Sequence, residues 1–109
     1  MSVLIRTETP PLRQDSSGAL RVGQSRVLLE LVIQAFQDGA TPEAIVQRYP
    51  TVALADVYAV IAYYLRHRED IEQYVADRER QAAEVRERIE SRQGDLKELR
   101  DRLLARRGT

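Results

Sequence analysis

The sequence predicts a mainly α-helical protein. We expect a helix-turn-helix bundle with a small N-terminal β-hairpin or strand arm and a long, charged C-terminal helical extension. Three observations carry this prediction. Apolar residues recur at helical spacing in two stretches between residues 28 and 65. Turn and cap residues separate these stretches. From residue 66 on, the apolar residues thin into a heptad pattern within a strongly charged segment.

The size and composition limit the class of protein. The 109 residues suffice for one small domain. The formal net charge is zero, so no overall field draws the chain to nucleic acid or anionic lipid. The absence of cysteine excludes disulfides and thiolate metal sites and fits a reducing compartment. The most apolar stretch is interrupted by Glu30 and Gln34 and is too short to span a bilayer. We therefore predict a cytoplasmic protein that does not bind a membrane.

Residues 1–27 predict β-structure and loop. The stretch SVLIRT is short and rich in β-branched residues, and Pro10-Pro11 ends it. The stretch PLRQDSSGALRV predicts a hairpin, because two arms with alternating apolar residues flank the turn residues DSSG. A sheet this small is marginal alone. We expect it to pack on the helical core or on a second copy.

Three helices are predicted next. The first spans the stretch LLELVIQAFQDG and stops at Gly39. The second starts at Thr41-Pro42-Glu43, where threonine is a good N-cap and proline a good first residue. Pro50 disfavours helix at the preceding residue. The third helix starts near Leu54. Its predicted buried stripe is formed by Leu54, Val57, Tyr58, Ile61 and Leu65.

The last part of the chain is dominated by charge. Twelve of the 17 basic and 11 of the 17 acidic residues lie at or after residue 66. Steps of four and three residues define a heptad seam with arginine at two positions. Gly94-Asp95 predicts a break in the helix. We expect domains at 1–75 and 76–109. The heptad seam consists of Ile71, Val75, Arg78, Ala82, Val85, Ile89, Arg92, Leu96, Leu99 and Leu103.

This C-terminal segment has two interpretations. It is either a solvated helix that packs lightly on its own domain or a surface for another helix. The narrow seam cannot bury much apolar area alone, so we favour the second. The predicted partner-binding residues are Arg78, Val85, Ile89, Arg92, Leu96, Leu99 and Leu103.

The residues do not predict an enzyme. His67 is the only histidine and lies in the charged stretch RHRED, where an exposed, unliganded ring is expected. Ser16-Ser17 lie in a turn with no base nearby in sequence, and a serine nucleophile needs one. The five glycines are scattered and form no phosphate-binding loop. We predict no catalytic residue, no cofactor and no metal site.

The third helix is poorly suited to reading DNA. In a helix-turn-helix the second helix enters the major groove. The early positions expected to be exposed are Ala55, Asp56 and Ala59, and none offers a productive pairing to a base edge. Basic residues in the β region are better candidates for phosphate contacts, although they also fit charges that protect a strand edge. These candidates are Arg6, Arg13, Arg21 and Arg26.

Residues from about Leu12 to Val75 resemble the domain-of-unknown-function 433 family. The marks are RVGQSRV, DGATPEAIVQRYP and LADVYAVIAYYLRHRE, in the family's order and spacing. The family's G-T-R stands here as Gly23-Gln24-Ser25-Arg26. Ala53 replaces the usual cap before the third helix. The resemblance implies a homeodomain-like helical fold and a bacterial, intracellular protein. Family members are discussed as antitoxins, often encoded beside a nuclease-like toxin.

Three functions compete at this point. The first is a non-catalytic, dimeric antitoxin-like protein whose C-terminal segment covers a nuclease-like toxin, with Arg78 and Arg92 on acidic groups. Autoregulatory DNA binding is compatible with it. The second is a transcriptional regulator that binds DNA as a dimer. The third is a structural homodimer whose C-terminal segments pair with each other through the heptad seam.

Overall fold

The computed structural model describes residues 3–107 and is mainly helical, as predicted. A small antiparallel sheet precedes four helices. The chain divides into two compact units, with the boundary between Gln73 and Tyr74. The sequence predicts this boundary two residues later, after Val75. The outermost residues of the predicted domains, 1–2 and 108–109, lie outside the described range. The elements are β1 (Leu12–Gln14), β2 (Leu20–Val22), α1 (Leu29–Gln37), α2 (Pro42–Arg48), α3 (Leu54–Arg66) and α4 (Arg68–Arg107).

The predicted N-terminal strand is wrong over the residues that the structure describes. Residues 3–10 adopt no regular secondary structure, and Ser2 of the predicted strand lies outside the described residues. Val3, Leu4 and Ile5 are between 78% and 88% exposed. A strand forms only against a partner strand. Within the described range the sheet contains only β1 and β2, so the β-branched segment has nothing to pair with.

The predicted hairpin is confirmed. Strands β1 and β2 pair in antiparallel register with Arg13 opposite Arg21. The carboxylate of Asp15 closes the turn, because it accepts hydrogen bonds from the backbone amides of Ser17 (2.9 Å) and Ala19 (3.1 Å). Gly18 adopts a positive φ of 88° in this turn, a conformation that glycine reaches without strain.

The predicted helix boundaries between residues 37 and 54 are confirmed. Helix α1 ends in a Schellman motif: the amide of Gly39 donates to Phe36 and that of Ala40 donates to Ala35, both at 3.0 Å. Gly39 has φ of 96°, the left-handed conformation this motif requires. The hydroxyl of Thr41 then accepts from the amide of Ala44 at 3.1 Å and caps α2.

The core of the first unit lies where β2 and the first three helices meet. Its side chains come from every one of these elements, so the small sheet is stabilised by the helices rather than by its own strands. The fully buried residues with the largest side chains are Leu29, Ile33, Ile45, Val22, Val32, Val57 and Val60.

Helix α4 is continuous from Arg68 to Arg107, so the predicted break at Gly94 is wrong. Glycine inside a helix costs about 1 kcal/mol relative to alanine, but it keeps its backbone donor. Proline, which removes that donor, is absent from this segment. A single glycine in this segment is therefore tolerated. None of the described helices has the length and apolar character needed to cross a membrane.

Candidate binding surfaces

Arg13 is held by the loop that follows the hairpin. Its Nε donates to the carbonyl oxygen of Gly23 at 2.6 Å, and a terminal nitrogen donates to that of Ser25 at 2.7 Å. Ser25 continues the same turn, because its hydroxyl donates to Val22 and accepts from the amide of Val27. Arg13 therefore supplies donors to backbone carbonyls that no strand or helix satisfies.

Arg21 lies opposite Arg13 and is also engaged. Its Nε is 3.1 Å from the carboxylate of Asp15, and its terminal nitrogen donates to the carbonyl oxygen of Arg26. The hydroxyl of Ser17 contributes most to lowering the pKa of Asp15, which falls to about 2 from 3.8. Asp15 thus stays ionised and balances part of the positive charge of the arginines.

The structure brings together three of the four predicted phosphate-contact residues. Arg13, Arg21 and Arg26 line one shallow concavity, with the polar side chains of the hairpin turn around it. Arg6 is exposed in the irregular N-terminal segment and does not line it. Two of the three, Arg13 and Arg21, already donate hydrogen bonds to groups of the hairpin and its exit. Contact with DNA remains a prediction.

The predicted buried stripe of α3 is partly wrong. Val57 and Ile61 are buried as expected, together with Val60 and Tyr64. The other three predicted residues are 41% to 49% exposed. These residues are Leu54, Tyr58 and Leu65. Helix α3 is apolar on almost every side, so its sequence period does not determine which stripe packs inward.

The outward face of α3 is consequently apolar. Ala55, Ala59 and Ala62 are exposed between the three larger residues. Asp56 is half-buried and lies against the hairpin exit: a Cβ placed on Gly23 would come within 2.4 Å of its Oδ2. Asp56 is therefore a packing residue of the hairpin. This face offers apolar contact area and no side chain suited to base edges.

Tyr58 links the start of α2 to α3. Its hydroxyl donates to a carboxylate oxygen of Glu43, and this hydrogen bond lowers the pKa of Glu43 and raises the pKa of Tyr58. Glu43 also lies in the first turn of α2, where a negative charge is favourable. The pair fixes the outward face of α3 beside the N-terminus of α2.

Tyr64 organises the buried end of α3, a role that the sequence did not indicate. Its hydroxyl donates to Glu72 at 2.8 Å and accepts from Gln37 at 3.2 Å. Its ring meets Phe36 edge-on with centroids 6.1 Å apart, and the guanidinium of Arg68 lies 5.6 Å from the ring centroid. Glu72 and Arg68 both belong to α4, so Tyr64 anchors the first turns of that helix.

The heptad seam of α4 is exposed over most of its length. Ile71 and Val75 are buried, and Arg78 is half-buried. Five seam residues are 49% to 64% exposed, and Arg92 is exposed with them. The five are Val85, Ile89, Leu96, Leu99 and Leu103. All predicted partner-binding residues lie on one continuous helix. An ion pair between Glu98 and Arg102, with nitrogen and oxygen 3.0 Å apart, stabilises this helix.

The ring of His67 stacks on Tyr63 with centroids 4.3 Å apart. Within residues 3–107, no three histidine or carboxylate side chains are grouped so as to hold a metal ion. The side chains with shifted pKa values are Asp15 in the hairpin turn and the pair Glu43 and Tyr58 between α2 and α3.

Comparison with known proteins gives one match. Residues 16–64 match the family model described as "Protein of unknown function (DUF433)". Searches of curated proteins and of solved structures returned no match. The matched segment runs from the hairpin turn to Tyr64 and includes β2, α1 and α2, whereas α4 lies beyond it. Over these residues the chain is similar to the DUF433 family, as its sequence motifs predict.

Proposed function

We propose that the protein is a non-catalytic, antitoxin-like binding protein that neutralises a nuclease-like toxin by covering it with α4. One observation carries the proposal: a continuous helix presents an exposed apolar seam from Val85 to Leu103. The position of α4 outside the matched family segment fits a folding unit shared with the family that carries its own partner-specific extension.

The seam is large enough to support binding. A fully buried aliphatic side chain contributes about 1.5 to 3 kcal/mol, and the five exposed seam residues are each about half covered already. Covering the rest contributes on the order of 5 kcal/mol before the entropy cost of association is subtracted. Useful affinity therefore needs further contacts beside the seam, and the arginines provide them.

Self-association belongs to the same proposal. The apolar face of α3 is a second surface without a cover among the described residues, and apolar patches of this kind mark protein contacts. We expect the first unit to dimerise through it. A full chain that sediments as a monomer, or a Leu54→Glu variant that dimerises unchanged, would contradict this part.

DNA binding is a weaker alternative. It draws support from the concavity lined by Arg13, Arg21 and Arg26. Two of these residues, however, are hydrogen-bonded to the hairpin and its exit. Phosphate neutralisation requires several available cations on one surface. A mobility shift at low salt that is lost in Arg26→Ala would favour this role.

The decisive experiment uses the product of the neighbouring gene. We expect this product to arrest growth when expressed alone and to be neutralised by co-expression of the full chain. Leu99→Glu should abolish the rescue, because it places a charge in the heptad seam. Leu104→Glu is the matched control, since Leu104 lies outside the heptad seam and is equally exposed.

Three results would count against the proposal. The neighbouring product could prove harmless, the full chain could fail to rescue growth, or both glutamate variants could rescue equally well. Far-UV circular dichroism of both variants checks that α4 remains helical.

A further inference from the structure

The charges of α4 are sorted by face. The first face comprises the heptad seam and the positions that flank it, and we call it the basic face. From Tyr74 to Arg106 it carries seven arginines and two acidic residues. The arginines are Arg78, Arg86, Arg88, Arg92, Arg100, Arg102 and Arg106, and the exceptions are Glu79 and Asp95.

The opposite face, which we call the acidic face, has the reverse composition. It carries six acidic and two basic residues over the same range. The acidic residues are Asp77, Glu84, Glu87, Glu90, Glu98 and Asp101, and the exceptions are Arg80 and Lys97. The near-zero net charge of the helix therefore conceals a strong separation of charge around its axis.

Pairing within the helix accounts for only part of this separation. Glu98–Arg102 is an i,i+4 pair that joins the two faces, and such a pair contributes to helix stability. Arg100 has no such explanation. The positions one turn before and after it are Leu96, Lys97, Leu103 and Leu104. An arginine beside the seam without an acidic residue one turn away suits a contact outside the helix.

A second copy of α4 is a poor partner for the basic face. In a parallel pair in register, Arg78 and Arg92 each meet their own counterpart at the seam. In an antiparallel pair with full overlap of the seam, Arg86 and Arg88 meet their counterparts instead. Like charges opposite each other in a helix pair are destabilising and direct the choice of partner. Both arrangements thus place arginine against arginine.

We infer that the basic face of α4 binds an acidic helix of another protein, with apolar residues at heptad spacing flanked by Asp and Glu. The heptad seam specifies a helix as the occupant, and the seven arginines specify its charge. The inference rests on the proposed function and names the chemistry of the surface that α4 covers. Neither DNA nor an anionic membrane fits as well, because arginine interrupts the apolar seam and aliphatic residues interrupt the basic face.

The test uses the full chain and three synthetic peptides of four heptads each. The first has Leu at the seam and Glu at the flanking positions. The second has Lys in place of each Glu. The third has the composition of the first in shuffled order. Fluorescence anisotropy should detect binding of the first peptide alone, with an affinity that falls as salt is added.

Two matched variants separate the face from the net charge. R92E/R100E acts on the basic face and R80E/K97E on the acidic face, and both replace two cations by carboxylates. We expect R92E/R100E to weaken binding of the acidic peptide by roughly tenfold or more. R80E/K97E should change it by less than about twofold. Circular dichroism verifies helicity, and Arg100→Gln is a milder variant that should weaken binding in the same direction.

Several outcomes would overturn the inference. Equal weakening by the two double variants would show that only net charge matters. Self-association of the full chain that Leu99→Glu abolishes would identify a second copy as the occupant. Binding to a DNA duplex or to phosphatidylserine vesicles, without binding to the acidic peptide, would identify another class of partner. Growth rescue and peptide binding are separate measurements, so a failed toxin assay beside positive peptide binding refutes the proposed function alone.

Discussion

Arg13 in the hairpin and Arg92 in α4 are both predicted contact residues, yet their surroundings differ. Arg13 donates to the carbonyl oxygens of Gly23 and Ser25. Arg92 lies exposed on a helix whose backbone groups are paired internally. A loop-rich segment needs side-chain donors for its carbonyls, whereas the interior of a long helix does not. The environment of the backbone therefore decides whether an arginine stabilises the fold or remains exposed.

The same contrast separates the two units. The first buries its apolar residues in a core formed by four elements. The second is one helix whose apolar residues from Val85 on are about half exposed. The first unit thus contributes most of the stability of the protein. The apolar heptad seam of the second unit is not buried by the described residues.

The largest expected effect comes from a matched pair of isoleucines. Ile33→Ala removes a fully buried side chain and should lower the free energy of unfolding by about 3 to 4 kcal/mol. Ile89→Ala removes a half-exposed one and should cost less than about 1 kcal/mol. Urea denaturation followed by circular dichroism measures both. Equal losses would contradict the division between a core and a seam.

A pair of arginines tests the second part of the comparison. Arg13→Ala leaves two backbone carbonyls without their donor and should cost about 1.5 kcal/mol. Arg80→Ala removes only an exposed ion pair with Asp77 and should cost less than about 0.5 kcal/mol. The same denaturation assay applies. If Arg13→Ala were neutral, Arg13 would be available for phosphate and the case for DNA binding would strengthen.

Two glycines should respond to alanine with opposite signs. Gly39 has a positive φ, so Gly39→Ala strains the end of α1 and should destabilise the first unit by about 1 kcal/mol. Gly94 is helical and its Cβ position is open, so Gly94→Ala should stabilise α4 by about 1 kcal/mol. The thermal unfolding midpoint reports the first change and the helical signal reports the second. A loss of helicity in Gly94→Ala would refute the continuous helix.

The smallest effect concerns pH. Because folding lowers the pKa of Asp15 to about 2, its ionised form stabilises the hairpin above pH 3.8, and this contribution is lost as the pH falls through about 2. Carbon-detected NMR should follow the titration of this carboxylate. Ser17→Ala should raise its midpoint more than Arg21→Gln does, since the Ser17 hydroxyl contributes most to the shift. The reverse order would identify the ion pair as dominant.

Local signals made much of the first unit predictable. The DSSG turn, the Gly39 stop and the Thr41-Pro42 start each act within a few residues, and all three are found where the sequence places them. Their physics is backbone conformation and capping, which needs no knowledge of distant contacts. The segment that matches the family model, residues 16–64, contains the same turn and cap residues apart from Asp15.

The errors arose where distant contacts decide. Leu54, Tyr58 and Leu65 fit a buried stripe as well as Val60 and Tyr64 do, and only packing selects between them. The role of Arg13 depends on Gly23, which lies 10 residues away, and that of Tyr64 depends in part on Gln37, which lies 27 residues away. The charge separation on α4 was present in the sequence, but it becomes visible only once a single uninterrupted helix fixes the heptad positions.

The start of α4 has a consequence for how this long helix forms. Ile71 is buried, its amide donates to the carbonyl of His67, and Glu72 accepts from Tyr64. The first turn is therefore held by the folded core, and nucleation is the costly step of helix formation. Folding of the first unit templates α4, and helical order propagates from it towards Arg107. Any substitution that melts the core removes this nucleus, so such a variant loses the proposed binding helix together with its fold.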